Sequence, residues 1–167
     1  MHVRPESPSD SEPIRRVHEA AFGTKVEADL VDLLRGQAAP IVSLVAEDDG
    51  SVVGHILFSP VTLPDHADLT IMGLAPMAVR PDRQRRGVGS TLVTAGLEAC
   101  RAFDTHAVVV LGHATYYPRF GFVPASRLGI RSEYDVPDEI FMAMELQPRA
   151  LAGRSGTVRY HPAFGTL

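Results

Sequence analysis

Seven consecutive residues, Gln84-Arg85-Arg86-Gly87-Val88-Gly89-Ser90, stand where the apolar run LTIMGLAPMAV gives way to a helical pattern. The chemistry this order supports is anion binding. The first four N–H groups of a helix lack intrahelical partners, and the aligned peptide dipoles add a partial positive charge there. Gly87 and Gly89 remove side chains where a ligand must approach the backbone. Arg83, Arg85 and Arg86 surround the opening with positive charge. Strand, glycine turn and helix together form a phosphate cradle. Each such interaction is worth about 1 kcal/mol, so a diphosphate would need several at once.

Two common phosphate loops do not fit. A nucleoside-triphosphate loop requires GxxxxGK[ST], and RQRRGVGST has no lysine. A dinucleotide fingerprint requires GxGxxG after the first strand of a βαβ unit, and Gly87-Val88-Gly89 lacks the third glycine. The spacing alone also admits a plain glycine turn with solvated arginines.

The elements that would hold this stretch follow from pattern. Ser9-Asp10-Ser11-Glu12 fits a capping box with Ser9 at the cap. Behind it, Ile14, Val17, His18, Ala21 and Phe22 share one helical face up to Gly23. VEADLVDLLRG repeats the pattern to Gly36, so two short helices are expected to open the chain. IVSLVAE and VVGHILFSPV, joined by DDGS, read as a hairpin. LTIMGLAPMAV is a third strand, and Pro76 inside it predicts a bulge or splayed end that leaves backbone groups free near Met77 and Ala78. A helix from about Gly89 to Phe103, the strand AVVVLG, a short helix and strands around FGFVPA and IFMAMEL complete the pattern. The tail RALAGRSGTVRYHPAFGTL is weakly patterned and is expected to pack across the surface. This order predicts an α/β or α+β sheet with helices on both faces.

Bulk properties set limits. A chain of 167 residues is one domain's worth, and its 45% hydrophobic and 22% charged content suits a soluble globular protein. A net charge of -4 argues against a general nucleic-acid binder. Lys25 is the only lysine among sixteen basic residues, a skew that reflects genome composition before chemistry. Cys100, alone, excludes an intrachain disulfide and reads as a buried small hydrophobe. MHVRPESPSD has no signal-peptide core, and no apolar run approaches the ~20 residues that span a membrane. The expectation is a cytoplasmic protein. The seven histidines show no metal-ligand spacing, so no metal is expected.

Gln84-Arg85-Arg86-Gly87-Val88-Gly89 resembles the Q/R-x-x-G-x-G/A signature of the GNAT superfamily of acetyl-CoA-dependent N-acetyltransferases. LAPMAVRPDRQ resembles that family's fourth strand and turn. Tyr116-Tyr117-Pro118-Arg119-Phe120-Gly121-Phe122 is similar to the segment that ends its acetyl-CoA site. VVVLGHATYYPRFGF and VPDEIFMAMEL look like the YhbS-type subgroup of predicted acetyltransferases. The resemblance covers about residues 1–147, with 148–167 as a C-terminal extension on the same domain. It implies a mostly antiparallel mixed sheet splayed between its fourth and fifth strands, with helices on both faces.

The resemblance also implies roles. Acetyl-CoA would be the cosubstrate, with its pyrophosphate on the backbone of Arg85, Arg86, Gly87, Val88, Gly89 and Ser90 behind Gln84. The strand edge at Met77, Ala78 and Val79 would hold the pantetheine arm, and a free N–H near Met77 or Ala78 would polarise the thioester carbonyl. Tyr117 would also contact the cofactor and act as general acid, since a phenol of pKa ~10 stays protonated beside a thiol of ~8.5. Many relatives carry a glutamate on the fourth strand, and LTIMGLAPMAV has no carboxylate. Glu27, His55 and His113 are the candidates for base or substrate contact, and water is the alternative proton carrier. Selectivity is expected from the loop PDHAD, the first two helices and SRLGIRSEYDVPDE, whose Asp65, Asp68, Glu133 and Asp135 could draw a cationic amine. The expected activity is acetyl transfer to a primary amine by direct attack, with a non-catalytic acyl-CoA-binding module as the alternative. No nucleic-acid or membrane partner is expected, and the family allows a homodimer.

Overall fold

The structure, a computed structural model, describes residues 1–166. In chain order its elements are β1 (His2–Pro5), α1 (Ser11–Phe22), α2 (Val26–Gln37), β2 (Val42–Asp48), β3 (Ser51–Val61), β4 (Ile71–Val79), α3 (Val88–Ala102), β5 (Ala107–Leu111), β6 (Val123–Pro124), β7 (Ile130–Ser132), β8 (Phe141–Glu145) and β9 (Gly156–Val158). The strand before α1 departs from the expectation that helices open the chain. β1 is short, edge-placed and only partly buried, so its alternation is too brief to read. The cap also differs. Asp10, not Glu12, returns to the chain, its carboxylate accepting the Ser7 N–H at 2.7 Å. Arg4 on β1 grips the same carboxylate at 2.7 and 3.0 Å, and this pairing holds its pKa down at about 2. The α1 entry is therefore fixed by a partner that sequence spacing does not reveal.

Seven strands form one sheet in the order β1-β2-β3-β4-β5-β8-β6. All neighbours are antiparallel except β4 and β5, which the crossover helix α3 joins in parallel. Strand alternation divides the core between two faces. Met72, Val108, Val110 and Met142 point to the face covered by α3 through Leu92, Val93, Leu97 and Cys100. Ile71, Ala107, Val109, Phe141 and Ala143 point to the other. Both faces of β5 are thus buried from Ala107 to Val110, which explains its apolar run, and only Leu111 at its end is exposed. Burying each of the valines, leucines, isoleucine, methionines and phenylalanine among these contributes roughly 1.5–3 kcal/mol. Cys100 is fully buried, and desolvation pushes its thiol up to about 12, as befits a packing residue.

On the second face α1 and α2 pack over β3 and β4 through Ile14, Leu30, Val31 and Leu34. The tail takes a larger part than expected. β9 pairs in parallel with β7, and Leu151, Val158, Ala163 and Phe164 are buried in the core. Strand β6 is only two residues of the expected FGFVPA run.

The sheet is splayed where Pro76 predicts. β4 pairs with β5 only from Ile71 to Gly73. Beyond Gly73 its outer edge has no ladder partner among the described residues, and its register with β3 shifts between Ile56 and Phe58, opposite Ala75 and Pro76. Proline has no N–H for the ladder, so a bulge there relieves the missing bond.

Candidate active site

The splay opens a cleft of about 1270 Å³ that runs through the sheet. Its lining belongs to both core faces. Met77, Val79, Tyr116 and Tyr117 pack with the α3 side, whereas Leu30, Ala75, Tyr160 and Phe164 pack with the α1–α2 side.

The first mouth is the start of α3. Gly87 caps the helix at φ 84° with no side-chain cap, and the first turn carries no acidic residue. Gly87 has no other heavy atom within 4 Å of where a Cβ would stand. At Gly89 a Cβ would lie 3.1 Å from the Tyr116 hydroxyl and 3.8 Å from the Met77 and Val79 side chains. The turn therefore has open space beside Gly87 and a tight wall beside Gly89. Tyr116 shares a 3.1 Å hydrogen bond with Ser90 Oγ, and the Arg119 guanidinium sits 4.5 Å above its ring. The Gln84 amide donates to the Val79 carbonyl at 2.9 Å, bracing the free end of β4. Arg83 does not serve the opening as expected, because it faces Asp48 at 3.7 Å. Arg85 lines the cleft; Arg86 is exposed outside it, and Val88 turns its side chain into the core.

Tyr117 lies at the waist of the cleft, 7% exposed. Its ring fills the space over Gly112, where a Cβ would stand 2.2 Å from Tyr117 Cε2. Desolvation, reinforced by Tyr116, pushes its hydroxyl up to about 12, so it is a neutral donor across the physiological range. His113 and Glu27 also line the cleft.

His55 does not. It is fully buried, with Nδ1 2.8 Å from His18 Nε2 and Nε2 2.7 Å from Ser43 Oγ. Burial lowers both imidazoles, His18 to about 4. The expectation that His55 faces substrate is corrected here: the hydrogen bonds between α1, β2 and β3 satisfy both of its ring nitrogens.

At the second mouth the expected segments contribute unequally. Of the loop PDHAD, no residue lines the cleft, and Asp68 is held by Arg154 at 2.7 and 2.9 Å. Glu133 accepts the Tyr160 N–H at 2.7 Å, and Asp135 is also off the cleft. The lining comes from Phe22 and Glu27 on the helices and from Tyr134 and Val136 of SRLGIRSEYDVPDE, as expected, and also from Tyr160, Phe164 and Gly165 of the tail, which the expectation leaves out. Among the described residues no group of three or more His, Cys, Asp or Glu side chains could hold a metal ion. No helix there is long and apolar enough to cross a membrane.

A splayed β4, an uncapped glycine turn and a buried tyrosine on one cleft can be set beside known proteins. The family model described as the acetyltransferase (GNAT) family matches residues 11–122, well over half the chain. The chain belongs to the GNAT acetyltransferase family. This GNAT is 44% identical over 154 residues to the uncharacterized N-acetyltransferase YjhQ of Escherichia coli K12, covering 87% of this chain and 85% of that one. It is 36% identical to YhbS of the same strain, with 98% of each covered. A crystal structure of E. coli YhbS in complex with CoA superposes with a TM-score of 0.91, spanning 98% of this chain and 91% of that one. A Brucella melitensis GNAT acetyltransferase in complex with acetyl-CoA superposes at 0.81 with 38% identity, spanning 98% and 97%. The expected fold and the likeness to the YhbS-type subgroup are thereby borne out. The open space at Gly87 and the unpaired edge of β4 leave room in this cleft for a ligand of the kind those two structures hold.

Proposed function

We propose that this GNAT transfers the acetyl group of acetyl-CoA to a primary amine by direct attack within one ternary complex. The observation that carries the reading is the convergence of the uncapped α3 turn, the unpaired β4 edge and Tyr117 on one cleft. When bound, acetyl-CoA supplies an activated acetyl thioester whose sulfur leaves as the amide forms.

The chain's own residues would do the rest. The N–H groups from Arg85 to Ser90 receive the pyrophosphate, assisted by the helix dipole and the Arg85 charge. The edge at Met77, Ala78 and Val79 pairs with the pantetheine arm as an added strand does. A free N–H at Met77 or Ala78 donates to the carbonyl oxygen, where negative charge develops. Tyr117 donates to the departing sulfur; its raised pKa keeps the proton in place until that charge appears. The attacking nitrogen must be neutral and must shed one proton as the C–N bond forms and the C–S bond breaks. Glu27 and His113 are the groups on the cleft able to accept it, directly or through water.

The test is thiol release from acetyl-CoA in the presence of primary amines, with mass detection of the acetylated amine. The expected result is release that depends on amine and yields one amide per thiol. Tight acetyl-CoA binding without any acetylated amine would favour a binding module and overturn the catalytic reading.

A further inference from the structure

The second mouth of the cleft has a composition that selects a substrate class. Three of the molecule's exposed large apolar residues, Phe22, Leu111 and Tyr134, lie on it. Tyr134 continues through Tyr160 to Phe164 as an aromatic wall, with successive ring centroids 5.6 and 5.3 Å apart. These rings come from the segment after β7 and from the tail, and the Tyr160 backbone is anchored by Glu133. Phe22, from the last turn of α1, stacks on buried His18 at 6.0 Å and 7°. Rings held by packing on several segments form a surface, not a chance exposure.

Charge at this mouth is equally specific. Among the described residues Glu27 is the only carboxylate side chain lining the cleft. Its helical neighbours Asp29 and Asp32 are taken by Arg15 at 2.9 and 2.6 Å. Glu27 has only a 3.4 Å contact from Thr24 Oγ1 and no ion pair among the described residues. The cations on the cleft, Arg85 and Arg119, belong to the α3 mouth.

We infer that the acceptor is an arylalkylamine, a primary amine with one positive charge and an aromatic body, its ring on Tyr134, Tyr160 and Phe164 and its ammonium drawn by Glu27. This rests on the acetyltransferase reading above. A polyamine would leave further ammonium groups against aromatic carbon with one carboxylate to answer them. An amino acid would bring its own carboxylate to a mouth that offers no cation. Glu27 attracts the ammonium as it enters; the amine then loses one proton before attack and a second as the amide forms, while the leaving sulfur gains one.

The experiment compares four probes under saturating acetyl-CoA: tryptamine, tryptophan, spermidine and glycinamide. Because the protein has no tryptophan, binding of tryptamine can also be followed by indole fluorescence anisotropy without background from the chain. Tryptamine is expected to exceed each of the others by roughly tenfold or more in kcat/KM. Tyr134→Ala, at a position 38% exposed and so tolerant of truncation, should raise the tryptamine KM by roughly fivefold. Glu27→Gln should weaken tryptamine binding, and both variants should leave acetyl-CoA affinity unchanged. Turnover of spermidine or tryptophan equal to that of tryptamine would overturn the inference. So would no tryptamine turnover in a protein that binds acetyl-CoA, or an unaltered KM in Tyr134→Ala. Absence of acetyl-CoA binding would instead strike the acetyltransferase reading itself, and the inference with it.

Discussion

At the α3 mouth of the cleft the determinants are mainly backbone features, the left-handed Gly87 at an uncapped helix start and the bulge at Ala75–Pro76. At the other mouth they are side chains, brought together from α1, α2, the segment after β7 and the tail. A backbone site depends on residues that permit a local conformation, so its determinants are contiguous and recur as a motif. A side-chain site depends on long-range packing and leaves no local pattern. On the reading proposed above, the first mouth would hold the cosubstrate and the second would choose the acceptor.

The largest expected effect lies between the mouths. Tyr117→Phe keeps the ring over Gly112 but removes the donor, and kcat should fall on the order of 10²-fold with acetyl-CoA affinity unchanged by calorimetry. The pH profile sharpens this. A phenol pushed up to about 12 by burial keeps its proton as pH rises, so Tyr117 should cause no alkaline loss of rate below that value. A wild-type rate that falls near pH 10 and is flat in Tyr117→Phe would contradict the placement.

That comparison also explains what could be read in the sequence. The hairpin, α3, β5 and the bulge at Pro76 rest on local pattern and turn chemistry, and all were legible. The cradle was legible because Gly87 and Gly89 are contiguous with their strand. Arg83 was misjudged because Asp48, thirty-five positions earlier, claims it. His55 was misjudged because alternation does not reveal that His18 and Ser43 satisfy its ring. The wall is legible only in part: Tyr134 falls within SRLGIRSEYDVPDE, a segment expected to select, whereas Tyr160 and Phe164 belong to a tail whose apolar residues follow neither period two nor 3.6.

Next in size is Gly89→Val, which breaks the backbone mouth alone. Even a Cβ stands 3.1 Å from the Tyr116 hydroxyl, and overpacking of this kind costs about 1–3 kcal/mol. Acetyl-CoA affinity should fall by roughly tenfold or more, while tryptamine anisotropy without cosubstrate stays unchanged. Equal loss at both mouths would show that they are not separable.

Acid should act through the scaffold beneath the second mouth. His18 and His55 are neutral in the fold, with pKa values below the usual 6.5, so the unfolded chain binds more protons as pH falls. Stability from them is complete above pH 6.5 and is lost toward the folded value, about 4 for His18. The loss from His18 should be about 1.4 kcal/mol per pH unit within that window, read by urea denaturation. Replacing His18 with a residue that does not titrate should flatten that slope. The smallest effect belongs to Gln84→Ala. Losing the 2.9 Å brace on the Val79 carbonyl should cost about 0.5–1.5 kcal/mol, a few-fold weakening of acetyl-CoA binding with kcat for bound amine preserved.

The most direct test of the central claim is calorimetric titration of the folded protein with acetyl-CoA, alongside ATP and NAD. One site per chain for acetyl-CoA, with no comparable heat from ATP or NAD, is the predicted result. A folded protein that gives no heat with acetyl-CoA, or binds ATP equally well, would contradict it.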